Sequence, residues 1–118
     1  DALLWMFEQS SPPVPSGTNT TIAVVVSNAN LNKTQANKVA QMAHNGLAKT
    51  IFPVHTMNDG DTVFAVATGG VDASVNLVGT LSAEVLAAAV VNAIKAAEGA
   101  EGIPAYRDLA GNGVRFEM

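Results

Sequence analysis

A hydroxyl and two carboxylates could together cleave an amide bond. Thr20 precedes the apolar run at residues 22–26, and Asp59 and Asp61 flank a glycine ahead of a second apolar run. A hydroxyl nucleophile needs a base, and an N-terminal threonine carries one in its α-amino group, with a pKa of about 7.7–8. Alternate residues of an extended segment share a face, so both carboxylates could reach Thr20 if the two strands were neighbours. We take this as a hypothesis about a hydrolytic site.

Each part of this hypothesis has a simpler alternative. Residues 19–21 also fit a threonine-rich strand edge or an Asn-x-Thr glycosylation acceptor, and residues 32–34 fit the same acceptor pattern. Residues 59–61 also fit a tight turn, because Asp-Gly is a common turn pair. A non-catalytic α/β binding subunit, in which Thr20 stays inside an uncut chain, is the alternative from another functional class.

The remaining reactive side chains predict little further chemistry. The chain has no cysteine, which excludes disulfides, thiolate zinc sites and a thiol nucleophile. His44 falls in a predicted helix and is interpreted as a polar surface residue. His55 falls in a loop without a second histidine near it in sequence, so it is expected to order the loop by hydrogen bonds and not to bind metal. No phosphate-binding glycine motif is present. We therefore expect no metal and no cofactor.

Composition limits the partners of the chain. At 118 residues it predicts one domain, and only 14% of the residues are charged, against about 25% in typical proteins. A small domain with so few charged residues is expected to be buried against another chain. A net charge of −4 with six Lys and Arg argues against nucleic acid. Because no apolar run reaches the roughly 18 residues of a membrane span, a soluble, cytoplasmic setting without membrane contact is expected.

The first half of the chain predicts a linker, a strand and a helix. Residues 10–17 are rich in Pro, Ser and Gly and predict a linker. The strand at residues 21–26 lacks alternation, so both of its faces are expected to be covered. Asn32 and Gln35 form a capping-box pattern that begins a helix, which should end by residue 52 ahead of a proline. The predicted buried face of this helix comprises Ala36, Val39, Ala40, Ala43 and Leu47.

The second half predicts another strand and helix. A β-rich run at residues 62–68 is followed by a polar connection at 71–80 and a helix at about 82–98. That helix is apolar nearly all round and is expected to be buried on most sides. The resulting order is β-α-β-α, which predicts an α/β (α+β) fold with helices over a sheet.

Four segments occur together in an order that resembles a known family. Residues 19–25, 41–48, 53–56 and 59–69 are similar to the small (β) subunit of the self-cleaving N-terminal-nucleophile hydrolases of peptidase family S58. The likeness runs from about residue 16 to residue 95. It looks closest to the nylon-oligomer (6-aminohexanoate-oligomer) endohydrolases.

The resemblance implies roles for specific residues. The precursor would cleave itself between Asn19 and Thr20, making residues 1–19 a linker or the C-terminal tail of a large subunit and residues 20–118 the small catalytic subunit. Thr20 would be the nucleophile, supported by Asp59 and Asp61. The aminopeptidase branch typically has a serine nucleophile and a Ser-x-Glu pair here, from which this sequence departs, so aminopeptidase activity is the alternative within the family.

The resemblance also implies partners. Family members form a four-layer αββα sandwich from two subunits, and the present chain would supply half of it. The large (α) subunit from the same precursor would contribute a lysine and an asparagine to the active site. Higher homo-oligomers of αβ units, and a small oligoamide or peptide as substrate, are expected.

Overall fold

The computed structural model describes residues 19–110, which fold as two strands and three helices. The elements are β1 (Ile22–Ala29), α1 (Lys33–Thr50), β2 (Thr62–Val71), α2 (Val75–Ala96) and α3 (Tyr106–Ala110). The predicted β-α-β-α order and the mixed α/β class are confirmed, with one short helix added at the end. The predicted linker at 10–17 lies outside the described residues.

Strands β1 and β2 are parallel neighbours, as the hypothesis about Thr20 required. Ile22 pairs with Thr62 and Val26 with Val66, and the register shifts only after Ser27. A further parallel bridge joins Asn19 to Asp59, so the pairing continues past the start of β1. Parallel strands need a long crossover, and α1 provides it.

Helix α1 begins and ends where the sequence predicted. The side chain of Asn32 accepts from the Gln35 N–H, and the Gln35 side chain accepts from the Asn32 N–H, which completes the capping box. The last helical residue is Thr50, and the Ile51 N–H donates to the Leu47 carbonyl. The buried positions are the predicted ones apart from Ala36, which is only partly buried, with Gly46 added: Val39, Ala40, Ala43, Gly46 and Leu47.

Helix α2 begins earlier than predicted. Strand β2 extends to Val71, and Ser74 caps a helix that starts at Val75, its hydroxyl accepting from the Leu77 N–H. The predicted polar connection at 71–80 is therefore wrong. Gly79 obscured the helical pattern in the sequence, but here it lies against Met42 of α1, where a side chain on Gly79 would collide with the methionine sulfur.

The predicted burial of α2 on most sides is also wrong for the described residues. One face packs on α1 and the sheet through Val78, Gly79, Ala83 and Leu86. Outside this contact the helix exposes large apolar side chains: Leu77, Leu81, Val85, Val91 and Ile94. By length and composition alone, this helix of the described segment could cross a membrane, contrary to the expectation from sequence. Core helices of soluble proteins have the same length and composition.

The two-stranded sheet has one covered and one open face. The covered side packs against α1 and α2 through two apolar clusters, one around Leu47 and Val63, the other around Val39 and Val78. On the other side, Val24 is 59% exposed and Phe64 58% exposed. The prediction that both faces of β1 are covered is therefore wrong within residues 19–110, where the alternation of burial along β1 is regular.

Candidate active site

The peptide bond between Asn19 and Thr20 is held by the end of the parallel ladder. The Asn19 N–H donates to the Asn58 carbonyl at 3.3 Å, and the Asn19 carbonyl accepts from the Gly60 N–H at 2.8 Å. One residue further on, the Thr62 N–H donates to the Thr21 carbonyl at 2.9 Å. The backbone on both sides of Thr20 is thus fixed by the segment that carries the two aspartates.

The Thr20 hydroxyl lies beside the carbonyl group that precedes it. Oγ1 of Thr20 donates to the Asn19 carbonyl oxygen at 2.7 Å. That oxygen therefore accepts two hydrogen bonds, one from the hydroxyl and one from the Gly60 N–H. A backbone N–H fixed on a carbonyl oxygen stabilises negative charge that develops there. Reasoning from the sequence missed this donor, because it depends on strand register and not on a side chain.

Gly60 provides the space that the hydroxyl occupies. A Cβ built on Gly60 would lie 3.0 Å from Oγ1 of Thr20, closer than most real Cβ contacts. A glycine at this position therefore allows the Asp-Gly-Asp segment to approach Thr20 closely. The turn interpretation of residues 59–61 is thereby replaced by a strand pairing, since Asp59 forms a bridge with Asn19.

Asp61 contacts the residue after Thr20. Its Oδ1 accepts from the Thr21 N–H at 2.9 Å, and its Oδ2 accepts from the His55 N–H and from Nδ1 of the His55 ring. The side chain is only 5% exposed. Burial raises the pKa of this carboxyl, but the hydrogen bonds from Thr21 and His55 outweigh burial and lower its pKa below the usual value. Asp61 is therefore ionised at neutral pH.

Asp59 lies near Thr20 but uses its carboxylate within the loop. Its Oδ2 accepts from the Thr56 N–H at 2.7 Å, and its own N–H donates to the Thr56 carbonyl at 3.1 Å. This closes the loop that precedes β2. Asp59 thus organises the loop, while Asp61 holds the backbone next to Thr20.

These residues surround an open cleft at one end of the sheet. The cleft has a volume of about 500 Å³ and contains the predicted residues together with part of the loop that follows α1. Its lining is formed by Asn19, Thr20, Thr21, Ile51, Pro53, Val54, Thr56, Asp59 and Asp61. The structure thus brings every residue of the sequence-based site hypothesis to one cleft.

Two histidines for which the sequence predicted no chemical role also contact each other here. His55 orders its loop by hydrogen bonds, as predicted, but His44 of α1 lies against it, with Nδ1 of His44 at 3.2 Å from Nε2 of His55. A second histidine thus lies beside His55 in the fold, although none is near it in the sequence. Among residues 19–110, no cluster of three or more metal-ligating side chains is present.

The chain belongs to peptidase family S58, whose model matches residues 4–107. This confirms the resemblance seen in the four sequence segments. The chain is 43% identical over 115 residues to an uncharacterized aminopeptidase of Mycobacterium leprae, covering 85% of this chain and 32% of that protein. It is 43% identical over 106 residues to an uncharacterized aminopeptidase of Mycobacterium tuberculosis, covering 77% of this chain and 31% of that protein.

A third relative carries the other name used in the family. The chain is 35% identical over 102 residues to a 6-aminohexanoate-oligomer endohydrolase of a Kocuria species, covering 75% of this chain and 29% of that enzyme. The chain thus spans about a third of the length of the curated relatives it matches. Both aminopeptidase and oligoamide-hydrolase names occur among its relatives.

Proposed function

We propose that this chain is the nucleophile-bearing part of an amide-bond hydrolase precursor, with Thr20 as the nucleophile. The precursor cleaves itself between Asn19 and Thr20, and the freed Thr20 then hydrolyses linear amides in small oligoamides or peptides. The observation that carries the proposal is the double hydrogen bond at the Asn19 carbonyl oxygen, from the Thr20 hydroxyl and from the Gly60 N–H.

The first reaction is an N-to-O acyl shift. Oγ of Thr20 attacks the carbonyl carbon of Asn19, its proton passes to the Thr20 amide nitrogen, and the C–N bond breaks to leave an ester. The Gly60 N–H stabilises the oxyanion formed on the Asn19 oxygen. Water then hydrolyses the ester, which gives a carboxylate on Asn19 and a free amine and hydroxyl on Thr20.

The second reaction uses the new N-terminus. The Thr20 α-amine takes the proton from Oγ, which attacks the substrate carbonyl and forms an acyl-enzyme that water hydrolyses. Asp61 keeps the Thr21 N–H fixed, and so keeps the amine and the hydroxyl of Thr20 in register. After cleavage Asp59 is the second carboxylate available to orient the amine, since it lines the same cleft.

The proposal includes a large subunit from the same precursor. The open apolar face of the sheet is what a second sheet would cover, in a four-layer αββα sandwich of which this chain forms half. In this arrangement residues 1–19 are the linker or the tail of the large subunit, and residues 20–118 are the small subunit. A lysine and an asparagine that stabilise the oxyanion or orient the nucleophile come from the large subunit.

The test is the processing of the full-length precursor. We expect intact mass and N-terminal sequencing to find a fragment that begins Thr-Thr-Ile. Thr20→Ala should remain uncut and inactive, whereas Thr21→Ala, the matched comparison one residue on, should be cut at the same bond. A Thr20→Ala protein that is cut normally would contradict the proposal, and so would a wild-type precursor that stays whole.

An aminopeptidase is the second candidate function. It is favoured by the 43% identity to mycobacterial proteins named as aminopeptidases, which exceeds the 35% identity to the Kocuria endohydrolase. Oligoamides with free and with blocked amino ends separate the two. An aminopeptidase cleaves only the free-amine series, whereas an endohydrolase cleaves both.

A further inference from the structure

His44 and His55 connect α1 to the backbone around Thr20 through an unbroken series of hydrogen bonds. Nδ1 of His44 lies 3.2 Å from Nε2 of His55, and the rings meet edge to face with centroids 4.7 Å apart. Nδ1 of His55 lies 2.7 Å from Oδ2 of Asp61, whose Oδ1 accepts from the Thr21 N–H. The series therefore ends one residue from the proposed nucleophile.

The backbone of His55 is held in an uncommon conformation. Its φ is +58°, in the left-handed region that a non-glycine residue seldom adopts and that strains the backbone. In this conformation both the N–H and the ring of His55 point to the same oxygen of Asp61. Two hydrogen bonds to one ionised carboxylate compensate for the strain.

The proton positions along this series are restricted. An ionised Asp61 only accepts, so Nδ1 of His55 must carry a proton, and only one proton fits between Nε2 of His55 and Nδ1 of His44. The two imidazoles can hold one positive charge while they remain hydrogen-bonded to each other. A second positive charge would break that hydrogen bond. Burial, and then His55, lower the pKa of His44, while Asp61 acts in the opposite direction.

The other charged groups nearby are engaged elsewhere. Asp59, on the loop, accepts from the Thr56 N–H. On the side of α2, Glu84 pairs with Lys49 of α1. Among the described side chains, the carboxylate that contacts the His55 imidazole is thus that of Asp61, just before β2.

We propose that His55 is a positioning residue for Thr20 that acts through Asp61, and that His44 supports it from α1. His55 fixes the rotation of the Asp61 carboxylate, and this carboxylate fixes the Thr21 N–H and with it the peptide that carries Thr20. The inference rests on the proposed function, because positioning has meaning only if Thr20 reacts.

The test compares self-cleavage rates of the full-length precursor. His55→Asn removes the ring but keeps a residue that tolerates positive φ. We expect its cleavage to slow roughly ten- to a hundredfold, which is what losing a hydrogen bond to a charged group is worth. His44→Ala, a good helix former, should slow cleavage less. The double variant should be no slower than His55→Asn alone, because His44 acts through His55.

The pH profile distinguishes positioning from a merely structural role. Self-cleavage needs no free α-amine, so its acid limb reports the histidine pair and Asp61. We expect wild-type cleavage to slow on the acid side, where a second positive charge enters the pair and breaks the contact between the rings. In His44→Ala this limb should disappear, because a protonated His55 still donates to Asp61. The exposed change Gln41→Ala, also on α1, is the control and should keep the wild-type profile.

Each outcome decides the inference. Wild-type rates in His55→Asn would overturn it while leaving Thr20 as nucleophile, and so would additive effects in the double variant or an unchanged acid limb in His44→Ala. A wild-type precursor that is never cut would overturn the proposed function as well. NMR titration gives a readout without turnover: in His55→Asn the pKa of Asp61 should rise, and an unchanged pKa would contradict the contact.

Discussion

An added methyl group on Gly60 would lie 3.0 Å from the Thr20 hydroxyl oxygen, so this glycine can be tested directly. Gly60→Ala keeps the N–H that donates to the Asn19 carbonyl and adds only a Cβ. We expect the hydroxyl to shift by a few tenths of an ångström and self-cleavage to slow by about tenfold, since small misplacements of reacting groups are costly. The measurement is the rate at which the new N-terminus appears.

The control for this change lies in the same loop. Met57 is 95% exposed, so Met57→Ala should cleave at the wild-type rate. A Gly60→Ala precursor that cleaves as fast as Met57→Ala would mean that the close approach to Thr20 is not needed for reaction.

For single residues, the sequence predicted the members of the candidate site but not all of their hydrogen-bond partners. Thr20, Asp59 and Asp61 were predicted from residue type and strand alternation, and they line one cleft. The sequence did not predict that Asp61 binds the Thr21 N–H or that Asp59 binds the Thr56 N–H. These details depend on the register of β1 on β2 and on the loop conformation at His55, which no local pattern encodes.

Between the two long helices, Gly46 allows a close approach of backbones. A Cβ on Gly46 would lie 2.4 Å from the Ala83 carbonyl oxygen of α2, and backbone cannot move aside as a flexible side chain can. Gly46→Ala gains about 1 kcal/mol of helix propensity, but overpacking typically costs about 1–3 kcal/mol. We expect a net loss of about 1 kcal/mol in the free energy of unfolding, measured by urea denaturation.

A substitution at a neighbouring position should change the free energy of unfolding in the opposite direction. Asn45 is exposed on the same turn of α1, and Asn45→Ala should raise the free energy of unfolding by a few tenths of a kcal/mol through propensity alone. If Gly46→Ala is also stabilising, the helices are not in backbone contact at this point.

The elements differ in how well local sequence predicted them. Helix α1 was predicted well because a capping box at Asn32 and a proline after residue 52 mark its limits. The start of α2 was missed because Gly79 interrupts an otherwise helical pattern, although Ser74 was present as a capping signal. The glycines Gly46 and Gly79 weaken helical propensity locally, but both allow α1 and α2 to pack closely.

For the whole molecule, the most important feature is the open apolar face of the sheet. Parallel sheets are normally covered on both faces, yet the described part of this chain covers one. Ile22, Val24, Val26, Phe64 and Val66 are exposed large apolar residues of β1 and β2. Burying such side chains contributes roughly 1.5–3 kcal/mol each, so a partner that covered this face would form a more stable complex.

A charge placed in this face tests whether it joins the proposed large subunit. Val24 is 59% exposed and pairs in register with Phe64, so Val24→Asp should leave the packing of α1 and α2 intact. In the proposed αββα assembly the same carboxylate would be buried without a partner, which costs several kcal/mol. We expect Val24→Asp to abolish co-elution of the two subunits and amide hydrolysis with them. Asn37→Asp adds the same charge at an exposed, polar position of α1, away from the open face, and should assemble normally. If Val24→Asp assembles as well as Asn37→Asp does, the partner covers some other surface, such as the exposed apolar part of α2.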